Sequence, residues 1–226
     1  MKEYIFMDLD GTLTNPKLGI TKSVRYALQS KGINVDDLDS LCRFIGPPLR
    51  ESFMKFYGFD EGQAEELLAK YREYFSVTGL YENEVYEGME ELLIGLKKAG
   101  RKLYVATSKP EEFAQKILEH FHLSDYFDAI CGATMDGSRS SKEEVILYTM
   151  DRNGITEKEK IVMVGDREHD IIGAKAAGIA SIGVLYGFGS REEFLEAGAD
   201  AIAGSVEDVY DIIVHMEDTS AIQKML

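Results

Sequence analysis

Four short runs of apolar residues are spaced along the chain, and each ends in polar residues or glycine. The runs occupy residues 4–7, 102–106, 161–164 and 180–185. Nearly continuous apolar runs of this length are typical of strands that are covered on both faces, as in a parallel sheet. The pattern therefore predicts four buried parallel strands, three of them after residue 100.

Helical periodicity separates these strands. Apolar residues recur at helical spacing over residues 89–96, after Pro110, after Ser141 and after Asp166, and Gly100 and Gly178 end the first and last of these stretches. Alternation of strands and helices predicts a doubly wound α/β fold around a parallel sheet.

The segment between residues 14 and 85 breaks this alternation, because its periodic stretches are all helical. One predicted helix follows Thr21, the next begins at Pro47 and Pro48, and the third spans about residues 60–77. We therefore predict two domains.

The α/β core is expected to comprise residues 1–14 and 86–226, and a helical domain of residues 15–85 is inserted after the first strand. We expect the insert to cover the carboxyl end of the sheet and to open and close about hinges near residues 14–19 and 80–87. The pattern weakens after Met216, so the end of the chain is expected to fray.

Composition excludes several classes of function. The chain has 226 residues, 45% of them hydrophobic, and a formal charge of −15. Such an acidic protein lacks the clustered cations that bind nucleic acid or an anionic membrane, so neither partner is expected. No apolar run approaches the roughly 20 residues of a membrane span. The early acids do not fit a signal peptide, and two distant cysteines fit a reducing compartment, so we expect a cytoplasmic protein.

Polar side chains collect where the predicted strands end. They are Asp8, Asp10, Thr107, Ser108, Asp166 and Asp170, with Lys142 at the start of a helix. In an open α/β sheet the ligand crevice lies at the carboxyl ends of the strands, so these groups are expected to converge. Clustered carboxylates repel unless a cation is bound, and oxygen ligands beside a phosphate suit Mg²⁺. A carboxylate in such a site can also attack phosphorus.

Taken singly, these residues have plainer interpretations. Thr107 is suited to capping the helix that follows it, and Lys142 to a solvated helix position. Asp166 is suited to a helix cap and Asp170 to an exposed first turn. Only their convergence at one crevice favours a catalytic site over these interpretations.

Four ordered segments resemble the motifs of the haloacid dehalogenase superfamily of phosphohydrolases. They are residues 8–13 (DLDGTL), residues 106–110 (ATSKP), Lys142 and residues 165–170 (GDREHD). The resemblance covers essentially the whole chain, including a helical cap after the first motif. Within the superfamily the chain most resembles the phosphoglycolate-phosphatase-like branch, through residues 45–49 (IGPPL), 86–88 (YEG) and 187–189 (GFG). The resemblance implies a Mg²⁺-dependent phosphatase of small phosphorylated metabolites that acts through an aspartyl phosphate.

The resemblance also implies individual roles for the aspartates. Asp8 would be the nucleophile. Asp10 would protonate the leaving oxygen and then deprotonate the attacking water. The Asp8 carboxylate, the backbone carbonyl of Asp10 and Asp166 would bind Mg²⁺, while Asp170 would support the metal site without direct contact.

The remaining candidates concern the phosphoryl group and the rest of the substrate. Phosphate binding is assigned by the resemblance to Thr107, Ser108 and Lys142. Arg43 and Arg50 flank the Gly46-Pro47-Pro48 turn and are candidates for substrate specificity, with solvated surface positions as the equal alternative. Lys109 is a further specificity candidate, because it could meet an anion on the leaving group.

Two alternatives remain open. Within the superfamily, the chain could be a 5′-nucleotidase, a pyrophosphatase or a phosphomutase. Asp10 resembles the ester hydrolases and mutases rather than the dehalogenases, and Gly11-Thr12 resembles the phosphatases. A different class is a phospho-accepting signalling module, which also combines aspartates, a hydroxyl and a lysine on an α/β sheet. Such modules are about half this length and have no cap.

Overall fold

The computed structural model describes residues 1–216, within a chain that divides into two compact units. One unit joins Met1–Leu13 to Tyr86–Leu226, and the other is Thr14–Val85. Thr14, expected in the core, belongs to the second unit, where it pairs with Val85. The expected fraying after Met216 concerns residues outside the described part of the chain.

The described elements are numbered here in chain order. The strands are β1 (Tyr4–Met7), β2 (Thr14–Asn15), β3 (Glu84–Val85), β4 (Lys102–Pro110), β5 (Ala129–Ala133), β6 (Ile161–Gly165), β7 (Ala180–Val184) and β8 (Ala201–Ala203). The α-helices are α1 (Lys17–Gln29), α2 (Leu49–Tyr57), α3 (Glu61–Tyr74), α4 (Met89–Lys98), α5 (Glu111–His120), α6 (Lys142–Arg152), α7 (Glu168–Ala177), α8 (Arg191–Ala197) and α9 (Val206–His215).

The first unit contains a six-stranded sheet in the order β5-β4-β1-β6-β7-β8, with parallel pairing throughout. This confirms the predicted α/β class. Both faces of β1 are covered: Phe6 packs in a cluster with residues of α6 and α7, and Ile5 and Met7 on the opposite face are also fully buried. Burial on both faces explains why these strands are apolar without alternation.

Two strands and two helices of this unit were not predicted. The strands, β5 and β8, form the edges of the sheet and are short and rich in alanine. The helices, α8 and α9, follow β7 and β8 near the end of the described chain. Edge strands need less apolar sequence than central ones, so a search for continuous apolar runs does not detect them.

The second unit is mainly helical. It contains α1, α2 and α3, and α3 is followed by a π-helical turn at Phe75–Gly79. The expectation of helix alone was wrong at its ends, where β2 and β3 form a short antiparallel pair. α1 also begins earlier than expected, at Lys17, because Pro16 occupies its N-cap position. Within residues 1–216, every helix is too short or too polar to span a bilayer.

Candidate active site

The carboxyl ends of three adjacent strands, β1, β4 and β6, bring the predicted residues together. Asp8 directly follows β1, and its backbone N–H donates to the carbonyl of Val164 in β6 (2.9 Å). Thr107 lies within β4, and Asp166 directly follows β6. Parallel pairing of the central strands therefore sets these three side chains at one edge of the sheet.

Lys142 lies at the centre of a buried charge network. Its ammonium lies 2.9 Å from Asp8 Oδ1 and 2.8 Å from Asp170 Oδ1, and it donates to the carbonyl of Ala106 (3.1 Å). Burial alone lowers the pKa of Lys142, but the carboxylates of Asp170 and Asp8 outweigh it and raise that pKa above its usual range. A solvated helix position is thus excluded for Lys142, whose side chain is 3% exposed.

Asp170 combines two contacts. Its Oδ1 faces Lys142, and its Oδ2 accepts from the backbone N–H of Arg167 (3.1 Å). The exposed first-turn position considered for Asp170 is wrong, because the residue is buried. Burial raises the pKa of Asp170, and the Lys142 charge opposes this increase.

Asp166 is a buried carboxylate whose surroundings fit a cation ligand. Its Oδ2 accepts from the backbone N–H of Phe188 (2.9 Å), whereas its Oδ1 is buried with no hydrogen-bond partner among residues 1–216. Burial, followed by the charges of Asp170 and Asp8, raises the pKa of Asp166 well above its usual value. An unpaired buried carboxylate oxygen is costly unless a proton or a cation accompanies it.

The acidic residues around Asp166 fit a hard divalent cation. Carboxylate oxygens of Asp8, Asp166 and Asp170 lie within 4.8 Å of one another. Oxygen donors of this kind are the ligands that Mg²⁺ prefers in proteins. Asp170 is close enough to belong to this group of carboxylates. Both of its oxygens already have partners, however, in Lys142 and the backbone N–H of Arg167.

Asp10 has a different partner from the other aspartates, the ammonium of Lys109. Its Oδ2 forms an ion pair with the ammonium of Lys109, and its Oδ1 is buried with no hydrogen-bond partner in the described part of the chain. Burial raises the pKa of Asp10, and Lys109 opposes the increase. Asp10 thus lies beside the site with its carboxylate held by one lysine.

The hydroxyl residues near the end of β4 do not cap the following helix. The N-cap of α5 is Pro110, which makes no side-chain cap bond, and Thr107 Oγ1 accepts from the backbone N–H of Lys109 (3.2 Å). Thr107 is buried and Ser108 half-buried. The cap interpretation of Thr107 is therefore wrong, and the proposed binding of phosphate by both hydroxyls stays a prediction.

Gly11 is required for the first loop of the site. It has a φ of +82°, and a Cβ placed there would overlap Asp166 Oδ2, which the Phe188 backbone holds in place. We expect Gly11→Ala to lower the free energy of unfolding and to displace Asp166, because both backbone strain and this overlap oppose the methyl group. Urea unfolding should show a loss of at least about 2 kcal/mol.

Gly100→Ala is the matched control for Gly11→Ala. Gly100 also has a positive φ, of +75°, but apart from its chain neighbours no atom of residues 1–216 lies within 4 Å of the position that a Cβ would take there. Gly100→Ala should therefore show the cost of backbone strain without a steric overlap like that with Asp166. Equal losses in both variants would contradict the close contact at Asp166.

Sequence reasoning overlooked the loop after β7 as part of this site. The Phe188 backbone binds Asp166, and the hydroxyl of Tyr186 donates to the carbonyl of Thr12 (3.1 Å). A Cβ on Gly187 would overlap the Gly11 carbonyl, so the two loops pack backbone to backbone. The signal was present in the Gly-Phe-Gly sequence, since closely spaced glycines allow such an approach.

The two arginine candidates have partners within the helical unit. Arg43 lies over the ring of Phe56, with its guanidinium carbon 4.5 Å from the centroid. Arg50 forms an ion pair with Glu65 (2.6 Å), and both side chains are partly exposed. Exposed pairs of this kind contribute little stability, and specificity roles for Arg43 and Arg50 stay predictions.

The fold and this site define a class of hydrolases that place aspartates at the strand ends of a parallel sheet. Residues 5–184 match the Haloacid dehalogenase-like hydrolase family, and the chain belongs to that family. The family resemblance in the four sequence motifs is thereby confirmed.

Similar proteins agree on phosphate chemistry and differ in substrate. A Pseudomonas aeruginosa protein named 5'-nucleotidase is 53% identical over 189 residues, covering 84% of this chain and 85% of that protein. The tyrosine-protein kinase PtkA of Mycobacterium tuberculosis is 40% identical over 194 residues, covering 86% of this chain and 65% of PtkA. The crystal structure of a predicted phosphatase from Clostridium acetobutylicum has a TM-score of 0.92 and 50% identity, covering 95% of this chain and 99% of that one.

A more distant relative bears on the predicted branch. Phosphoglycolate phosphatase of Colwellia psychrerythraea is 27% identical over 205 residues, covering 87% of this chain and 90% of that protein. Together with the family match, the relatives identify the chain as an enzyme of the phosphatase type.

Proposed function

We propose that this enzyme hydrolyses phosphate monoesters of small metabolites through an aspartyl phosphate on Asp8, with Mg²⁺ as cofactor. One observation carries the proposal: a buried lysine, Lys142, lies against Asp8, and a carboxylate oxygen of Asp8 lies within 4.8 Å of one of Asp166. A nucleophilic carboxylate, a fixed positive charge and cation ligands are together what phosphoryl transfer to a carboxylate requires.

In the first step the Asp8 carboxylate attacks phosphorus, and the bond from phosphorus to the leaving oxygen breaks. Asp10 gives its proton to that oxygen, so the product leaves as an alcohol. The burial that raises the pKa of Asp10 favours its protonated form before this step. Lys142 and the hydroxyls of Thr107 and Ser108 are proposed to bind the phosphoryl oxygens.

In the second step a water molecule attacks phosphorus and loses a proton to Asp10. The bond between phosphorus and Asp8 breaks, which releases inorganic phosphate and restores both carboxyl groups. Asp8, Asp166 and the backbone carbonyl of Asp10 would hold Mg²⁺, whose bound charge would neutralise the phosphoryl oxygens. Asp170 is proposed to act by holding Lys142 rather than by binding the metal.

The sequence resemblance favours 2-phosphoglycolate as the preferred substrate, and a nucleoside 5′-monophosphate is the second candidate. The observation that favours it is the name of the Pseudomonas aeruginosa relative, which is 53% identical to this chain. Both candidates use the same chemistry at phosphorus and differ only in the alcohol that leaves.

The test is phosphate release with Mg²⁺ on a panel of 2-phosphoglycolate, nucleoside 5′-monophosphates, sugar phosphates, pyrophosphate and an aryl phosphate. We expect release from esters, loss of release with EDTA and recovery when excess Mg²⁺ is added. The preferred compound identifies the substrate class. Isomerised sugar phosphate with little free phosphate would instead indicate a mutase.

Two outcomes would overturn the proposal. Failure to hydrolyse even the aryl phosphate would exclude a general phosphatase. A lasting aspartyl phosphate on the wild-type protein, formed without phosphate release, would favour a phospho-accepting signalling module. Full activity in EDTA would leave the ester hydrolysis standing but remove Mg²⁺ from the proposal.

A further inference from the structure

The end of β4 departs from regular pairing where Lys109 lies. Thr107 pairs with Gly132 of β5, but the next pair joins Pro110 to Ala133. From one pair to the next, β4 advances by three residues while β5 advances by one. The extra residues of β4 form an irregularity of the bulge type. Bulges beside active sites redirect side chains that a regular strand would place elsewhere.

Gly132 makes room for this irregular segment. A Cβ at Gly132 would lie 2.6 Å from the carbonyl oxygen of Lys109 and 2.7 Å from Cα of Glu111. Both atoms belong to the backbone, so neither can move aside as a flexible side chain would. The close approach of β5 thus fixes the path of the segment that carries Lys109.

Two further contacts hold Lys109. Its backbone N–H donates to Thr107 Oγ1 (3.2 Å), and its ammonium forms the ion pair with Asp10 Oδ2. The side chains of Lys109 and Asp10 are only 5% and 13% exposed. A buried pair of this kind holds both partners more firmly than a surface pair, because water does not compete for either group.

We propose that Lys109 is a positioning residue that orients the Asp10 carboxylate for proton transfer and acts on the substrate only through Asp10. This inference rests on the proposed function, in which Asp10 is the acid and base. It is an alternative to the sequence-based expectation that Lys109 binds an anion on the leaving group.

The geometry favours Asp10 over a substrate anion as the partner of Lys109. Asp10 Oδ1 has no hydrogen-bond partner within residues 1–216, so the orientation of this carboxylate depends on the ion pair at Oδ2. Without Lys109, the Asp10 carboxylate would be free to rotate or to turn towards Lys142, whose charge also acts on it. A small misplacement of an acid or base is enough to slow proton transfer strongly.

The two roles of Lys109 predict different substrate dependence. Proton donation matters most when the leaving alcohol is a poor leaving group. If Lys109 orients Asp10, Lys109→Met should lower kcat/KM about 100-fold on an alkyl phosphate but less than about 10-fold on 4-nitrophenyl phosphate. If Lys109 binds an anion, the loss should follow the charge of the leaving group and raise KM.

The experiment is a double-mutant cycle with Asp10→Asn, Lys109→Met and the combined variant. The measured quantity is the rate of nitrophenolate release from 4-nitrophenyl phosphate in single turnovers. Because Asp10 is the only route of action proposed for Lys109, adding Lys109→Met to Asp10→Asn should change the rate less than about 2-fold. The combined variant removes both buried charges, so it remains informative if Lys109→Met alone does not fold. Lys98→Met, at an exposed lysine of α4, is the control and should retain wild-type rates.

Each result decides the inference. A further large loss in the combined variant would overturn it, and so would equal losses on alkyl and aryl phosphates. Wild-type rates in a folded Lys109→Met protein would also overturn it while leaving the phosphatase proposal intact. Absence of ester hydrolysis in the wild-type enzyme would instead remove the proposed function and, with it, the role of Lys109.

Discussion

Phosphate release by Asp8→Asn is expected to fall by a factor on the order of 10⁵ or more, because the substitution removes the only proposed nucleophile. Asparagine has nearly the same shape and its amide oxygen can still accept from the backbone N–H of Leu9, which binds Asp8 Oδ1 at 2.8 Å. The loop after β1 should therefore keep its structure. The variant tests the chemistry of residue 8 rather than its packing.

The measurement combines steady-state phosphate release with acid-quenched mass analysis of the protein. Wild-type enzyme quenched during turnover should contain a fraction of molecules heavier by one phosphoryl group, and Asp8→Asn should contain none. Asp151→Asn, the same substitution at an exposed aspartate of α6, is the control and should behave as wild type. Substantial hydrolysis by a folded Asp8→Asn protein would contradict covalent catalysis at this residue.

The central part of the fold follows from the sequence because burial dictates its residue types. β1, β4, β6 and β7 are covered on both faces, so each contains a nearly continuous run of apolar residues. β5 and β8 lie at the edges and contain mostly small residues, which carry little signal. The short β2–β3 pair depends on two segments about 70 positions apart, and no local pattern of two residues can show such pairing.

The site was predictable as far as strand ends determine it. Asp8, Thr107 and Asp166 could be placed together because a parallel sheet aligns the carboxyl ends of its central strands. The directions in which the side chains of the site point were harder to predict from the sequence. The partner of Lys109 is set by an irregular register in β4 and by Gly132 on the neighbouring strand. Local sequence shows a lysine after a Thr-Ser pair but not the bulge that directs it to Asp10.

Lys142→Met is expected to lower the free energy of unfolding of the α/β unit by about 3–5 kcal/mol, in addition to its loss of activity. The ammonium lies close to two buried carboxylates, at 2.9 Å from Asp8 and 2.8 Å from Asp170. Methionine fills a similar volume but leaves both carboxylates without their shared counter-charge. Urea unfolding followed by circular dichroism measures the loss.

A second substitution separates the electrostatic cause from a packing defect at residue 142. Adding Asp170→Asn to Lys142→Met removes one of the two buried carboxylates that lack a counter-charge. The double variant should therefore recover part of the lost stability. A packing defect would persist or worsen in the double variant, because asparagine at residue 170 does not refill space around residue 142. Recovery of stability in the double variant would show that the charge of Lys142 stabilises the aspartate cluster.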